Sequence, residues 1–249
     1  MKRFFSGTSN MVLPVKNKSF FPKEFLHKTR LAYYAHLFNS VEINASFYKV
    51  PLARTVAKWD SEVSDDFRFS YKLIKHVTHG QRQALDINPI NGFLSHVNAS
   101  NKRGCLLIQF PPKFYADAAQ LELLLIATSN SGWDTAVEFR HAGWYQDNIF
   151  ALLNTYNAAM VIHDMPKSRA PFELISNHFV YLRFHGPENV YRGSYEDAIM
   201  HEYAEYIGEW LNEEKTGYCY FNNTLGAVVQ NLETINRYVG VRRSATLTG

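Results

Sequence analysis

Short runs of apolar residues recur along the chain with polar residues at alternate positions. In an extended strand alternate side chains share a face, so each run splits into one apolar face and one mixed face. The runs are Lys2 to Gly7, Ser40 to Phe47, Phe67 to Ile74, Gly104 to Phe110, Thr135 to Arg140, Ala158 to Asp164, Phe179 to His185 and Gly217 to Asn222. The gaps between them mostly carry apolar residues at helical spacing. Lys23 to Phe38 places Phe25, Leu26, Tyr33, Leu37 and Phe38 in this way. Further helices are expected over Thr55 to Val63, Pro89 to Val97, Ala118 to Thr128, Ile149 to Tyr156 and Tyr195 to Leu211. A last one starts at Thr224 or Gly226 and runs through Tyr238. Asp117 is placed to accept from the first turn of its helix, and Pro89 falls in a first turn, where proline is tolerated. Met165 to His178, with Pro166 and Pro171, lacks this spacing and reads as an irregular connection.

Strands that alternate with helices form parallel βαβ units. Eight units in 249 residues fit one (β/α)8 TIM barrel spanning residues 1–249, with the irregular connection between strands 6 and 7. An open doubly wound sheet is the alternative, but eight parallel strands would then leave two edges exposed.

The helices require the apolar face of each strand, so the other face lines the barrel. That assignment turns polar residues inward. In strand 2, Glu42, Asn44, Ser46 and Tyr48 oppose Val41, Ile43, Ala45 and Phe47. Lys72 then faces inward from strand 3, Gln109 from strand 4, Glu138 and Arg140 from strand 5, Arg183 and His185 from strand 7, and Asn222 from strand 8. From strand 6 either His163 or Asp164 does so. Burying charges costs several kcal/mol unless they are paired or used. Several strands doing this near their C-terminal ends, where barrel active sites lie, point to a built site.

The same segments carry a family resemblance. Gly7-Thr8-Ser9, Phe38-Asn39-Ser40-Val41-Glu42-Ile43-Asn44-Ala45-Ser46-Phe47-Tyr48, Phe67-Arg68-Phe69-Ser70 with Lys72, and Thr78-His79 are followed in order by Gln109-Phe110-Pro111-Pro112 and Val137-Glu138-Phe139-Arg140-His141 with Trp144. Tyr181-Leu182-Arg183-Phe184-His185-Gly186-Pro187, Tyr191-Arg192-Gly193 and Tyr220-Phe221-Asn222-Asn223-Thr224 complete the set. Together they resemble the YecE-like family, domain of unknown function 72, nearly end to end. The resemblance implies a TIM-type barrel and no particular reaction. The family usually continues its first motif with Gly-Trp or Gly-Tyr, where Asn10-Met11 stand here. It often has His-Pro-Ser-Trp where His141-Ala142-Gly143-Trp144 stand here, so the first and fifth loops are expected to differ in shape.

Three chemistries are open to the inward set. In the first, Lys72, Arg140, Arg183 and Arg192 bind a small anionic or polyhydroxylated ligand, with guanidinium forks matching carboxylate or phosphate oxygens. Glu42 and Glu138 then act as base and acid without a metal, His185 and His79 are alternative proton carriers, and Asn44, Tyr48, Gln109 and Asn222 contact the ligand. In the second, Glu42, Glu138, His163, Asp164 and His185 hold a divalent ion, against the positive charge of Lys72, Arg140 and Arg183. In the third, the protein binds without catalysis, stacking Tyr48, Trp144, Tyr191 or Tyr220 on a sugar or base.

Composition narrows the choice little. A net charge of +3, from 26 basic and 23 acidic residues, with no basic stripe, gives no footing for duplex nucleic acid. No apolar run is long enough to cross a membrane, and Met1 to Gly7 lacks the apolar stretch of a signal peptide, so a cytoplasmic location is the expectation. Cys105 and Cys219, the only cysteines, match no disulfide framework or zinc spacing and read as buried small hydrophobes. No phosphate-binding glycine loop or nucleophile elbow appears, and no cofactor is expected. Oligomeric state is open.

Overall fold

A computed structural model describes residues 3–80, 84–166, 168–172, 178–188 and 191–241. Eight strands lie in one parallel sheet: β1 (Phe4–Thr8), β2 (Ser40–Ile43), β3 (Arg68–Lys72), β4 (Arg103–Gln109), β5 (Asp134–Glu138), β6 (Ala159–His163), β7 (Phe179–Phe184) and β8 (Thr216–Phe221). Their order around the wall is β1-β8-β7-β6-β5-β4-β3-β2. The helices are α1 (Arg30–Leu37), α2 (Ala53–Ser61), α3 (Lys75–Thr78), α4 (Asn88–Val97), α5 (Ala118–Ser129), α6 (Asp147–Thr155), α7 (Asp197–Asn212) and α8 (Val228–Val239). This is a single-domain (β/α)8 barrel, nearly closed.

The seam between β1 and β2 is where an open sheet would part. A parallel bridge joins Ser9 to Glu42, and Asn10 N donates to Glu42 O at 2.7 Å. Below that point side chains take the place of the ladder. The Asn39 amide accepts from Ser6 N at 2.9 Å and donates to Phe4 O at 2.8 Å. The Tyr34 hydroxyl accepts from Thr8 N at 2.7 Å and donates to Ser40 O at 3.1 Å. Backbone groups left unpaired in a dry seam would cost about 1–3 kcal/mol each, so these two side chains close the barrel. The strands approach so tightly that a Cβ on Gly7 would sit 1.9 Å from Ser40 O.

Strand faces follow the alternation. Val41, Ile43, Phe69, Leu106, Ile108, Val137, Phe139 and Ile162 belong to the core beneath the helices. Cys105, Leu107, Ala136, Ala159, Val161, Phe179, Tyr181, Tyr218 and Tyr220 form a second cluster, whose strand positions make it the barrel interior. Both cysteines are buried and unpaired. The Asp117 side chain accepts from Gln120 N and caps α5 as expected.

Two elements depart from the sequence pattern. Strand 2 stops at Ile43, and Asn44–Phe47 form a 3-10 turn. Short polar side chains favour such local turns, and the Ser46 hydroxyl lies 2.6 Å from both Ile43 O and Lys72 O. The first helix begins late. Thr29 caps Arg30–Leu37 through Ala32 N, and Lys23–Phe25 form a separate 3-10 turn. Between β6 and β7 the described residues carry no helix; residues 167 and 173–177, and Lys2 of the first expected strand, lie outside the described residues. No described helix is long and apolar enough to cross a membrane.

Candidate functional site

Polar residues begin halfway up the barrel. The Tyr220 hydroxyl lies 2.5 Å from Ser40 Oγ and 2.8 Å from Ser70 Oγ. Above that layer, at the C-terminal strand ends, sits a charged cluster built on Arg183. Its Nε donates to Glu42 Oε2 at 2.9 Å, its Nη2 to Glu42 Oε1 at 2.7 Å and its Nη1 to Glu138 Oε2 at 2.6 Å. Ser9 Oγ donates to Glu42 Oε1 at 2.6 Å, and Tyr181 OH to Oε2 at 2.7 Å. Glu42 thus receives four hydrogen bonds and is fully buried. Glu138 is also fully buried. Its Oε1 forms an ion pair with Arg140 Nη2 without hydrogen-bond alignment. Burial alone would raise the Glu138 carboxyl, but Arg140 and Arg183 outweigh it and hold it well below the usual carboxylate range. Burial disfavours the Arg183 charge as well, yet Glu138 and Glu42 together raise its pKa above the ordinary value.

Arg140 is less completely matched. Beyond Glu138 it reaches His185 Nε2 at 3.2 Å, while its own Nε is buried without a hydrogen-bond partner. His185 Nε2 also lies 3.4 Å from Arg183 Nη1. A guanidinium can only donate, so Nε2 accepts and the ring proton sits on Nδ1, which can donate to Asn222 only with that amide turned to offer Oδ1 in place of the Nδ2 that lies 3.2 Å away. This tautomer is assigned from the network. Burial, with Arg183 beside it, pushes His185 down to about 3, so the ring is neutral.

Lys72 and His79 form the second half of the site. Lys72 Nζ donates to Gln109 Oε1 at 2.8 Å and lies 4.2 Å from the centroid of the Phe47 ring. Burial lowers Lys72 to about 8, helped by Arg183 and Arg140 and opposed by Glu138 and Glu42. His79 meets the same Phe47 ring edge-on, with centroids 4.9 Å apart. The Thr78 hydroxyl donates to Gln109 O at 2.8 Å and lies 2.8 Å from His79 Nδ1. That hydroxyl has one proton, so Nδ1 carries the ring proton and Nε2 is left as an acceptor. Burial and Lys72 hold His79 down at about 4.

The parity of strand 6 is now resolved. His163 shares the inward face with Ala159 and Val161 and is buried. It lies 3.0 Å from Phe139 O through Nε2 and accepts from Met165 N through Nδ1 at 3.3 Å. Burial lowers it to about 4. Asp164 stands behind the wall, where it accepts from His185 N at 2.7 Å and from Tyr195 OH.

The structure therefore brings Glu42, Lys72, Gln109, Glu138, Arg140, Arg183, His185 and Asn222 together, with His79 beside Lys72. Two expected ligand contacts, Tyr48 and Arg192, fall elsewhere, and Asn44 stands in the turn that directly follows β2. Tyr48 lies 71% exposed on the rim, because the 3-10 turn ends the alternation that would have aimed it inward. Asn44 begins that turn, and its Oδ1 is buried without a hydrogen-bond partner. Arg192 is exposed, and its backbone bridges Leu225. Of the proposed stacking aromatics, Trp144 and Tyr220 are fully buried; Trp144 stacks on Phe139 and donates to Phe114 O at 2.8 Å. Ser9, Tyr181 and Asp164 complete the network. The sequence signal for Ser9 and Tyr181 was inward parity alone, shared with many packing residues.

A model for the family described as "Protein of unknown function DUF72" matches residues 5–248. The chain belongs to the DUF72 family. A UPF0759 protein, YunF of Bacillus subtilis (strain 168), is 25% identical over 240 residues, covering 84% of this chain and 85% of that one. The UPF0759 protein YecE of Escherichia coli (strain K12) is 31% identical over 87 residues, covering 34% of this chain and 32% of YecE. Among solved structures, the DUF72 protein EF0366 of Enterococcus faecalis V583 superposes with a TM-score of 0.78 at 20% identity, over 96% of each chain. TM1631 of Thermotoga maritima MSB8 gives 0.67 at 22% identity, over 95% of this chain and 99% of that one. These likenesses carry the DUF72 barrel fold. They bring no reaction with them. At Asn10, where family members usually carry glycine, this chain adopts φ 61°, a left-handed conformation that asparagine tolerates better than most residues.

Proposed function

We propose that the barrel mouth binds a small anionic or polyhydroxylated ligand and carries out acid/base chemistry on it, without a metal ion. One observation carries this reading: the cluster is positively unbalanced. Arg140, Arg183 and Lys72 face two carboxylates, Glu42 and Glu138, which leaves one positive charge when Lys72 is protonated. Arg183 is consumed by the carboxylates, so Arg140, with its unmatched Nε, and Lys72 are the groups left for a ligand. Carboxylate or phosphate oxygens suit them. A divalent ion at Glu42 and Glu138 would have to displace the Arg183 guanidinium, which already occupies both carboxylates.

The same geometry redistributes the chemical roles. Glu42 is saturated with donors and Glu138 is held ionised, so neither supplies a proton. Lys72, at about 8, is the group suited to exchange one near neutral pH. His79 and His185 are neutral rings that accept or relay. Thermal unfolding with phosphate, sulfate and glyoxylate, each against a chloride control, tests the binding half. A probe at ~100 times its dissociation constant adds about 2.7 kcal/mol to stability. The stabilisation is expected in the natural protein and lost in Arg140→Met; equal shifts in both proteins would overturn the reading.

A further inference from the structure

We propose that Lys72 is a carbonyl-reactive amine, whose Nζ condenses with a small aldehyde or ketone bearing a carboxylate or phosphate group. The choice of a charged carbonyl compound rests on the anion-binding reading above; the reactivity of Lys72 does not.

The argument starts from where the amine sits. Lys72 closes β3 on the inward face and is only half-buried, so a small ligand at the barrel mouth can reach it. Its hydrogen bond goes to the neutral Gln109 amide and its other neighbour is the face of Phe47. The carboxylates that would hold it as a salt bridge, Glu42 and Glu138, are taken by Arg183 and Arg140. A lysine desolvated beside other cations, without a carboxylate of its own, is the arrangement that activates an amine nucleophile. Its neighbours from every packed element are Glu42 on β2 and Phe47 after it, His79 after β3, Gln109 on β4, Glu138 and Arg140 from β5, and Arg183 on β7. Their sum, with burial, leaves Lys72 at about 8. At pH 7 such a lysine carries roughly 300 times the fraction of neutral amine of an ordinary one.

The step balances without an oxidant. The ammonium gives a proton to solvent. The nitrogen lone pair forms the C–N bond while the carbonyl π pair moves to oxygen, which takes up a proton. A second proton transfer expels that oxygen as water and leaves an iminium on Lys72. The adjacent Arg140 is placed to receive the anionic end of the ligand.

Borohydride trapping tests this. The full chain is incubated at pH 7 with glyoxylate, glycolaldehyde phosphate or neutral propanal, reduced with sodium borohydride, digested and mapped by mass spectrometry. With the two anionic probes the reduced adduct on Lys72 is expected to exceed that on any exposed lysine by about tenfold or more, given its larger neutral fraction. The yield on Lys72 should climb up to about pH 8 and flatten beyond it. Lys72→Arg, which keeps a cation there, should lose the excess and keep the surface labelling. Adducts spread over surface lysines with no excess at Lys72 would overturn the proposal, even if the same probes stabilise the fold. A Lys72 excess that is equal for propanal and glyoxylate, and unchanged in Arg140→Met, would support the amine while overturning the anion reading.

Discussion

Arg183 and Glu42 face one another across the barrel mouth, three strand positions apart, joined by hydrogen bonds of 2.9 and 2.7 Å. The third guanidinium nitrogen, at 2.6 Å, holds Glu138. One side chain from β7 thus ties β2 and β5 together inside a dry enclosure, where removing a partner strands the charge of the other.

Arg183→Met or Glu42→Gln is therefore expected to destabilise the fold by about 3–5 kcal/mol, the usual cost of breaking a buried pair. The double variant Arg183→Met with Glu42→Gln should lose less than the sum, because no charge at that pair is left unmatched. Urea unfolding of the four proteins measures the coupling; single-variant losses under about 1 kcal/mol would contradict a buried network.

Acid should weaken the protein before its carboxylates titrate. His163, His79 and His185 are held neutral in the fold, down to about 4, 4 and 3. Their unfolded pKa is about 6.5. Between those values the unfolded chain binds protons that the folded chain refuses, so stability falls as pH drops from about 6.5. The fully enclosed His163 and His185 each contribute on the order of 2 kcal/mol by pH 4. Glu138 acts lower. Its contribution is full above the ordinary carboxylate value and disappears as pH falls through its depressed one. Melting temperature against pH reads both phases. His163→Gln, which keeps a donor toward Phe139 O, should shrink the first by the share of that ring and leave the part due to His185 and His79; a melting temperature constant from pH 7 to 5 would rule it out.

The β1–β2 seam should be intolerant. Gly7→Ala places a methyl carbon 1.9 Å from Ser40 O, a backbone atom that cannot step aside. Overpacking of this kind costs about 1–3 kcal/mol or more. Asn39→Leu strands Ser6 N and Phe4 O, at about 1–3 kcal/mol for each buried group. Both losses appear in denaturant midpoints, and hydrogen exchange at Ser6 should accelerate in Asn39→Leu. Unchanged exchange would mean that the seam does not depend on that amide.

Asn10 offers a milder check. Its left-handed backbone makes Asn10→Ala cost about 1–2 kcal/mol, whereas Asn10→Gly should be close to neutral, since the Asn10 amide accepts only a long bond from Ala45 N at 3.3 Å. Equal stability of the two variants would show that the loop relaxes instead.

The amino-acid sequence by itself determined the eight strands, their parallel arrangement and the inward side of the polar ones except strand 6, where His163 and Asp164 both stayed open until the structure placed His163 inward. All of these follow from local periodicity: period two places Glu138 and Arg140 opposite Val137 and Phe139 wherever the strand goes. It also placed Lys72, Gln109, Arg183 and His185 on the wall. It failed at Tyr48, because a 3-10 turn held by Ser46 to Ile43 O and Lys72 O resets the alternation at Asn44. Only the tertiary structure decided who pairs with whom. Barrel closure and strand stagger bring residues 141 positions apart within 2.7 Å, and no local pattern encodes that register. Closure is what gives Arg183 to the two carboxylates, leaves Lys72 bonded to the neutral Gln109 amide, and leaves Arg140 paired with Glu138 but with a buried Nε that has no hydrogen-bond partner.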